Sequence, residues 1–410
     1  MEYLDVYLYD KKIGILSSDN GRMAFRYAPA YLEQERSEAL SFSLPLRSEP
    51  YPEEAIIPFF ANLLPDEGVR VRIAEILQVS PDNVFAILKE IGEDCAGAVA
   101  FYAQGKSPQT IQEPLYRKLS EDEADDVLTH LSERPLNIGA EDFHISGAGA
   151  QDKLVASIER GHILLPLMGT PSTHIIKPGI NRFPESVFNE FYCMKLAKYC
   201  GIQTAECDII TVKDRAYYSV KRYDRQKVDG GWQRLHQEDF CQLLGVDPKI
   251  KYESEGGPKL VQCFELLRKM ELSAMDTIRF LQQIIFCFLV GNGDAHAKNF
   301  SVVYRGGKPG LSPAYDMLST TVYPNLAQKL AMKIDTEYNF RWITPGKFVR
   351  VGQKVGLTEK VVRRQIQEML GKIPNALAQF NAKDAVRHPA EIYERIQSGI
   401  EIRMKQLSED

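Results

Sequence analysis

The most apolar run in the chain, IIFCFLV at 284 to 290, is followed without a break by GNGDAHAKNF at 291 to 300. Such a run reads as the end of a buried helix, and the segment behind it must then be a loop leaving a core. A loop of that kind needs polar backbone partners. It does not need a carboxylate and an amide at fixed separation, yet Asp294 and Asn299 stand in the pattern D-x-x-x-x-N. In the catalytic loop of protein kinases that spacing lets the aspartate accept a hydroxyl proton while the asparagine holds a magnesium ion beside the triphosphate. Alone, the pattern reads better as a polar turn.

Three further features shift that balance. In LSPAYDMLST, Asp316 lies 22 residues beyond Asp294, behind the Gly-rich RGGKPG and a short strand-like run. Kinase folds place their second metal-binding aspartate after such a returning hairpin, although a helix N-cap would also explain it. Lys177 ends the apolar run of THIIKPG, and Glu190 follows thirteen residues later on the next predicted helix. That pair suits the strand-lysine to helix-glutamate ion pair that orients a cation on α- and β-phosphates. The third feature is SGAGAQDK at 146 to 153. Its small residues allow backbone N–H groups close to a phosphate, and Lys153 adds charge. It is neither a Rossmann nor a Walker pattern, and a tight hairpin is its plainer reading. The order of these features along the chain is that of one kinase fold, and phosphoryl transfer explains them together.

The rest of the chain is consistent with two lobes. At 410 residues it can bury more than one core. Residues 3 to 28 alternate apolar and polar side chains around turn signals at Asp10-Lys11 and Asn20-Gly21. Helical patterning follows to about residue 92, then a polar stretch at 104 to 114 and a short acidic helix. Strand-like runs dominate from about 143 to 223, interrupted by an amphipathic helix near 185 to 200. Beyond about 235 the pattern is mostly helical, with Ile392, Ile396, Ile400 and Met404 at four-residue spacing in the last helix. The expected fold is α+β and kinase-like: a strand-rich N-terminal lobe, a helical C-terminal lobe, and the ATP site in the cleft. The expected units are 1–135, 136–225 and 226–410.

A net charge of −5 argues against autonomous nucleic-acid binding. The charged N-terminus is not a signal peptide, and the longest apolar run is far short of the ~20 residues that span a bilayer. The seven cysteines are expected as buried free thiols and not zinc ligands, which points to a reducing, cytoplasmic setting without membrane attachment.

The segments FHISGAGAQDKL, THIIKP, NEFYCMKLAKYCGI, VKRYDR, HQEDFCQLLG, KYESEGGP, GNGDAHAKNFSV and LSPAYDMLST together resemble the HipA family. So do LSFSLPL, FFANLLPDE and EIGEDCAGAV near the start. These are the serine/threonine kinase toxins of bacterial HipBA toxin–antitoxin modules, and the similarity runs collinearly through nearly the whole chain. The resemblance implies Asp294 as the catalytic aspartate, Asn299 and Asp316 as magnesium ligands, and Lys177 on the α/β-phosphates. It implies Ala148, Gly149, Ala150, Gln151, Asp152 and Lys153 as the phosphate loop. Lys221, Arg222 and Tyr223 become the hinge over adenine, while His296, Lys298 and Tyr315 line the nucleotide site. Ser146 matches the serine that members autophosphorylate.

Two departures stand out. Gly147 lies where relatives often carry a bulkier residue, and should make the loop more mobile. Lys221 stands where a familiar member has glutamate, so adenine contacts could run through backbone alone. The resemblance further implies ATP and Mg²⁺, a HipB-like helix-turn-helix antitoxin, and operator DNA bound mainly through that antitoxin. It implies a protein serine as acceptor, in an aminoacyl-tRNA synthetase, with translation arrest as the result. Two other readings remain: a small-molecule kinase, and a catalytically silent co-repressor.

Overall fold

The computed structural model describes residues 1–108, 115–138, 145–229 and 231–409, the side chain of Glu67 excepted. Part of the polar stretch noted above (109–114), together with Phe143 and His144, lies outside the described residues.

Strands Glu2–Leu8, Lys11–Asp19 and Arg22–Tyr27 form an antiparallel meander. Asn20 and Gly21 turn it at φ 49° and 82°, the two-residue hairpin geometry whose twist matches the strands. The first turn sits one residue earlier than the sequence signal: Tyr9 takes φ 56°, and Lys11 already pairs with Leu8. With Tyr51–Pro52 on one edge and Val99–Ala103 on the other, the sheet has five strands. Helix Glu53–Asn62 covers it, Phe60 packing against Phe25 and Phe101 at centroid separations of 5.8 and 5.7 Å.

A second, six-stranded antiparallel sheet runs in the order Cys207–Val212, Arg215–Lys221, His174–Lys177, Leu154–Glu159, His162–Pro166 and Tyr116–Lys118. The change of sheet therefore falls between Ala103 and Tyr116. Leu154, Val155, Ala156 and Ile176 of this sheet share an apolar interior with Leu4, Phe25, Phe60 and Leu88. Burial against a common core fixes the first sheet relative to the second.

Helix Ser186–Tyr199 is not the amphipathic element its flanks suggest. Val187, Asn189, Glu190, Phe191, Cys193, Met194 and Leu196 are all buried. The helix lies between the six-stranded sheet and the helices Glu359–Arg387 and Ile392–Ser408, so only a narrow strip through Lys195 and Lys198 is left to solvent. Beyond residue 235 short strands interrupt the helical pattern. Gln237–Asp239 pairs with the hairpin Ser301–Arg305/Lys308–Leu311, and Lys329–Ile334 pairs with Glu337–Asn339. Such short runs carry too little periodicity to separate strand from helix. In the last helix Ile392, Ile396 and Ile400 are buried as expected, but the stripe continues through Arg403 and Leu407, with Met404 only partly covered. Arg403 has a reason to be inside: its Nε donates to Leu289 O at 2.7 Å, at the C-terminal end of helix Ala274–Val290.

All seven cysteines are free thiols, six buried and Cys207 partly so. Burial pushes the Cys200 and Cys287 thiols up to about 12. Among the described residues no helix is long and apolar enough to cross a membrane.

Candidate active site

Helix Ala274–Val290 ends on Gly291 at φ 74°, where a β carbon would come within 2.1 Å of Thr321 Oγ1. Only glycine fits that turn, and it swings the chain out of the core and into the cleft. The polar residues behind it are then accounted for. The Asn292 side-chain oxygen accepts the Asp294 N–H at 2.9 Å, and the Gly293 N–H donates to Thr320 Oγ1 at 2.8 Å. Asn299 Nδ2 donates back to Asp294 O at 2.8 Å, so the five-residue spacing closes a loop and fixes the Asn299 side chain. The Asp294 carboxylate faces the cleft, about one-third exposed, and accepts a hydrogen bond from the Tyr252 hydroxyl. His296 Nε2 lies 3.8 Å from the same oxygen. Burial lowers the His296 pKa, and its Nδ1 has no partner among the described residues.

Lys177 ends an interior strand of the six-stranded sheet, not an edge strand. Its Nζ lies 2.8 Å from Glu190 Oε1 and 2.6 Å from Asp316 Oδ1. Burial disfavours the ammonium, but the two carboxylates outweigh it and hold the charge above the usual lysine range. Burial likewise opposes the Asp316 charge, and Lys177 overcomes it, taking that carboxyl down to about 2. Burial instead pushes Glu190 up to about 7 against the pull of Lys177, so Asp316 is the firmer counter-ion. Asp316 does not cap a helix. It sits at φ 55°, a left-handed conformation uncommon outside glycine and typical of functional sites.

The loop at 146 to 153 is seated on the N-terminal unit. Ser146 is buried, its hydroxyl donating to Leu63 O at 2.7 Å and its N–H to Asp94 O at 3.2 Å. The Asp66 N–H donates to Gly149 O at 3.1 Å, Arg72 pairs with Asp152, and Gln151 Nε2 reaches Pro178 O at 2.8 Å. Gly149 is at φ 108°, and Lys153 folds back onto Ala148 O, its ammonium lowered by burial to about 8. Ala150 is exposed.

The missing side chain at Gly147 leaves no gap. A β carbon there would lie 2.9 Å from Leu136 Cδ2, 3.1 Å from Val155 Cγ2 and 3.2 Å from Lys153 Cδ. Gly147→Val should therefore lift the loop from its seat, at an overpacking cost of about 1–3 kcal/mol. Nucleotide affinity by titration calorimetry should fall roughly tenfold. Unchanged affinity would show that the seating has no bearing on the nucleotide.

At the expected hinge, Tyr223 stacks on Tyr315 with centroids 5.4 Å apart, and Tyr315 donates to Lys298 O at 2.9 Å. Lys221 is partly exposed with Nζ 3.4 Å from Glu206. The Arg222 guanidinium is engaged elsewhere, by Asp224 at 2.8 Å, Ser172 at 2.8 Å and Asp94 at 3.3 Å, so only its backbone is available to line a ligand. Three side chains at the site escaped the sequence reading: Asp66, Lys251 and Tyr252. Lys251 and Lys298 both bind the Asp66 carboxylate. All three lie in quoted motifs, FFANLLPDE and KYESEGGP, but no spacing ties them to Asp294.

These groups surround a cleft of about 910 Å³ lined by residues 146–153, Lys177, Tyr223, Asp294, Asn299 and Asp316. Asn299 commits its amide nitrogen to Asp294 O, leaving its oxygen for a cation. With the Asp316 carboxylate it offers oxygen donors, the kind Mg²⁺ prefers. A lysine clamped between carboxylates, a seated small-residue loop and a loop-borne carboxylate can together hold a polyphosphate and accept a proton beside it.

Residues 4–102 match the HipA N-terminal domain family, and residues 145–377 the HipA-like C-terminal domain family. A putative kinase of Sinorhizobium fredii is 39% identical, over 92% of this chain and 91% of its own length. The serine/threonine-protein kinase toxin HipA of Shewanella oneidensis is 30% identical, over 92% of this chain and 88% of its own. In the solved structures, HipA of Shewanella oneidensis in a toxin–antitoxin complex with HipB and operator DNA matches with TM-score 0.83. That match has 28% identity and covers 98% of this chain and 95% of the other.

Proposed function

From its membership of the HipA family of serine/threonine kinase toxins, to which this chain belongs, we propose that it transfers the γ-phosphoryl group of ATP to a protein serine. The observation that carries the reading is Lys177 held between Glu190 and Asp316 at 2.8 and 2.6 Å, across the cleft from Asp294. Lys177 binds the α- and β-phosphate oxygens, and Glu190 keeps it aimed when Asp316 turns to other work. Asn299 and Asp316 hold Mg²⁺, which when bound neutralises charge on the triphosphate. Asp294 accepts the proton of the acceptor hydroxyl, with Tyr252 orienting its carboxylate. The stacked pair Tyr223 and Tyr315 forms the apolar side of the adenine site.

Ser146 is the self-modification site of this reading. In the seated loop its hydroxyl is inside and bonded to Leu63 O, so the loop must leave before Ser146 can accept a phosphoryl group. A phosphoserine, with about −1.5 to −2 charge and no proton to give Leu63 O, cannot return to that seat. ATP binding is then lost. The protein partner is a HipB-like antitoxin, through which operator DNA is contacted; the Shewanella HipA stands in such a complex with HipB and its operator. The acceptor is an aminoacyl-tRNA synthetase of the host.

The test is phosphoproteomics of a bacterial lysate given the full chain with Mg-ATP. The reading expects new phosphoserine on a host protein and on Ser146, both absent with Asp294→Asn. Label confined to soluble metabolites, or nucleotide binding without turnover, would overturn it.

A further inference from the structure

Asp66 opens the helix Glu67–Leu77 with the extended backbone of an N-cap, φ −70° and ψ 168°. An aspartate there ordinarily turns its carboxylate onto the first N–H groups of its own helix. Asp66 makes no such bond. Its side chain, 12% exposed, sends one oxygen to Lys298 Nζ at 2.9 Å and the other to Lys251. The turn that presents it is itself held: Arg70 donates to Pro65 O at 3.0 Å and to Ala61 O at 3.2 Å, and the Asp66 N–H holds the phosphate loop at Gly149. A local capping bond has been given up for two lysines from another part of the chain.

Those lysines have significant neighbours. Lys298 directly precedes Asn299, whose amide closes the catalytic loop onto Asp294. Lys251 directly precedes Tyr252, whose hydroxyl donates to the Asp294 carboxylate. One buried anion thus fixes both segments that flank the candidate base. The ion pairs keep the Asp66 carboxyl far below its usual range, although burial opposes its charge.

We propose that Asp66 is a positioning residue for phosphoryl transfer, supplied by the N-terminal unit, which holds Lys298 and Lys251 in place on either side of Asp294. The inference rests on the kinase reading above and adds a member that the catalytic lobe does not contain. A lysine ammonium on its four-carbon stem samples many rotamers unless an anion fixes it. Fixed in advance, Lys298 meets the charge that develops on the transferred group without reorganising at the moment of reaction. The N-terminal unit is then part of the catalytic apparatus as well as the seat of the phosphate loop.

The experiment measures kcat and KM for ATP in the full chain, normalised to the fraction competent to bind nucleotide. The variants are Asp66→Asn, Asp66→Glu, Lys298→Met and the double variant Asp66→Asn/Lys298→Met. Asp66→Asn should lower kcat about tenfold with KM for ATP changed by no more than about twofold, as expected for lost alignment. Asp66→Glu should recover part of the loss, and Asp66→Asn should add little in the Lys298→Met background. A kcat for Asp66→Asn equal to or above wild type would overturn the proposal, the latter by showing that Asp66 withholds Lys298 from the nucleotide. A loss confined to the competent fraction, or one that adds in full to that of Lys298→Met, would overturn it equally. If Asp66→Asn does not fold, the Glu variant and its combination with Lys298→Met give the same comparison. A wild-type chain that phosphorylates no protein would sink the kinase reading instead.

Discussion

Asp294→Asn should lower phosphoryl transfer to a protein serine by about a thousandfold at saturating ATP, within the range general-base catalysis supplies. The asparagine oxygen can still accept the Tyr252 hydroxyl, and the backbone bonds, the N–H to Asn292 and the carbonyl from Asn299, do not involve the carboxylate. The loop should therefore keep its shape and ATP should still bind, while no group remains to take the acceptor's proton. Single-turnover transfer of the γ-phosphoryl, paired with a nucleotide-binding titration, separates the two effects. Asp316→Asn should differ in kind. It removes the firmer counter-ion of Lys177 and a cation donor, so nucleotide binding should weaken as well. Full activity in both variants would mean that the cleft is not the site of reaction.

The second large effect concerns stability. Asp94, from EIGEDCAGAV, is fully buried and bonded to Arg225 at 2.6 Å, Arg234 at 3.0 Å, Arg222 at 3.3 Å and the Ser172 hydroxyl at 2.6 Å. Asp224 shares two of those arginines and accepts the Gly97 N–H at 2.7 Å. Asp94→Asn leaves the buried Arg222 and Arg225 to Asp224 alone and takes from the partly buried Arg234 the carboxylate that holds it, and breaking such a network costs about 3–5 kcal/mol. The urea midpoint of the full chain should drop accordingly, and an unmoved midpoint would refute this account. Acid should act through the same group. Burial opposes the Asp94 charge, but the three arginines outweigh it and hold its carboxyl well below the usual range. A depressed folded pKa contributes stability that is present above the unfolded carboxylate value, about 3.9, and is lost as pH falls below it. The wild-type chain should lose more stability than Asp94→Asn over that acid interval.

Much of the site was legible in the sequence because its parts are local patterns. Asp294 and Asn299 lie in one loop, and Lys177 and Glu190 are a strand end and the next helix, thirteen residues apart. What the sequence could not show depends on distant partners. Asp66 meets Lys298 across 232 positions, and Tyr252 meets Asp294 across 42. Arg222 reads as a hinge residue, but its guanidinium goes where Asp94, 128 residues earlier, draws it. The fold was legible in the same proportion. Turn chemistry at Asn20-Gly21 and the Lys177 strand follow from residue type. The helix Ser186–Tyr199 takes much of its burial from helices that come more than a hundred residues later.

The ionic cluster around Asp94 also sets a timetable. Ribosomes add residues N-terminal first, at roughly 5–20 per second. Arg234, one of the guanidinium groups that hold Asp94, is made 140 positions later. For about 7 to 28 seconds of every synthesis, the nascent N-terminal unit carries a carboxylate destined for burial whose set of counter-ions is incomplete. Its final closure has to wait for the arginines made just after the second sheet, so the two sheets mature as one piece.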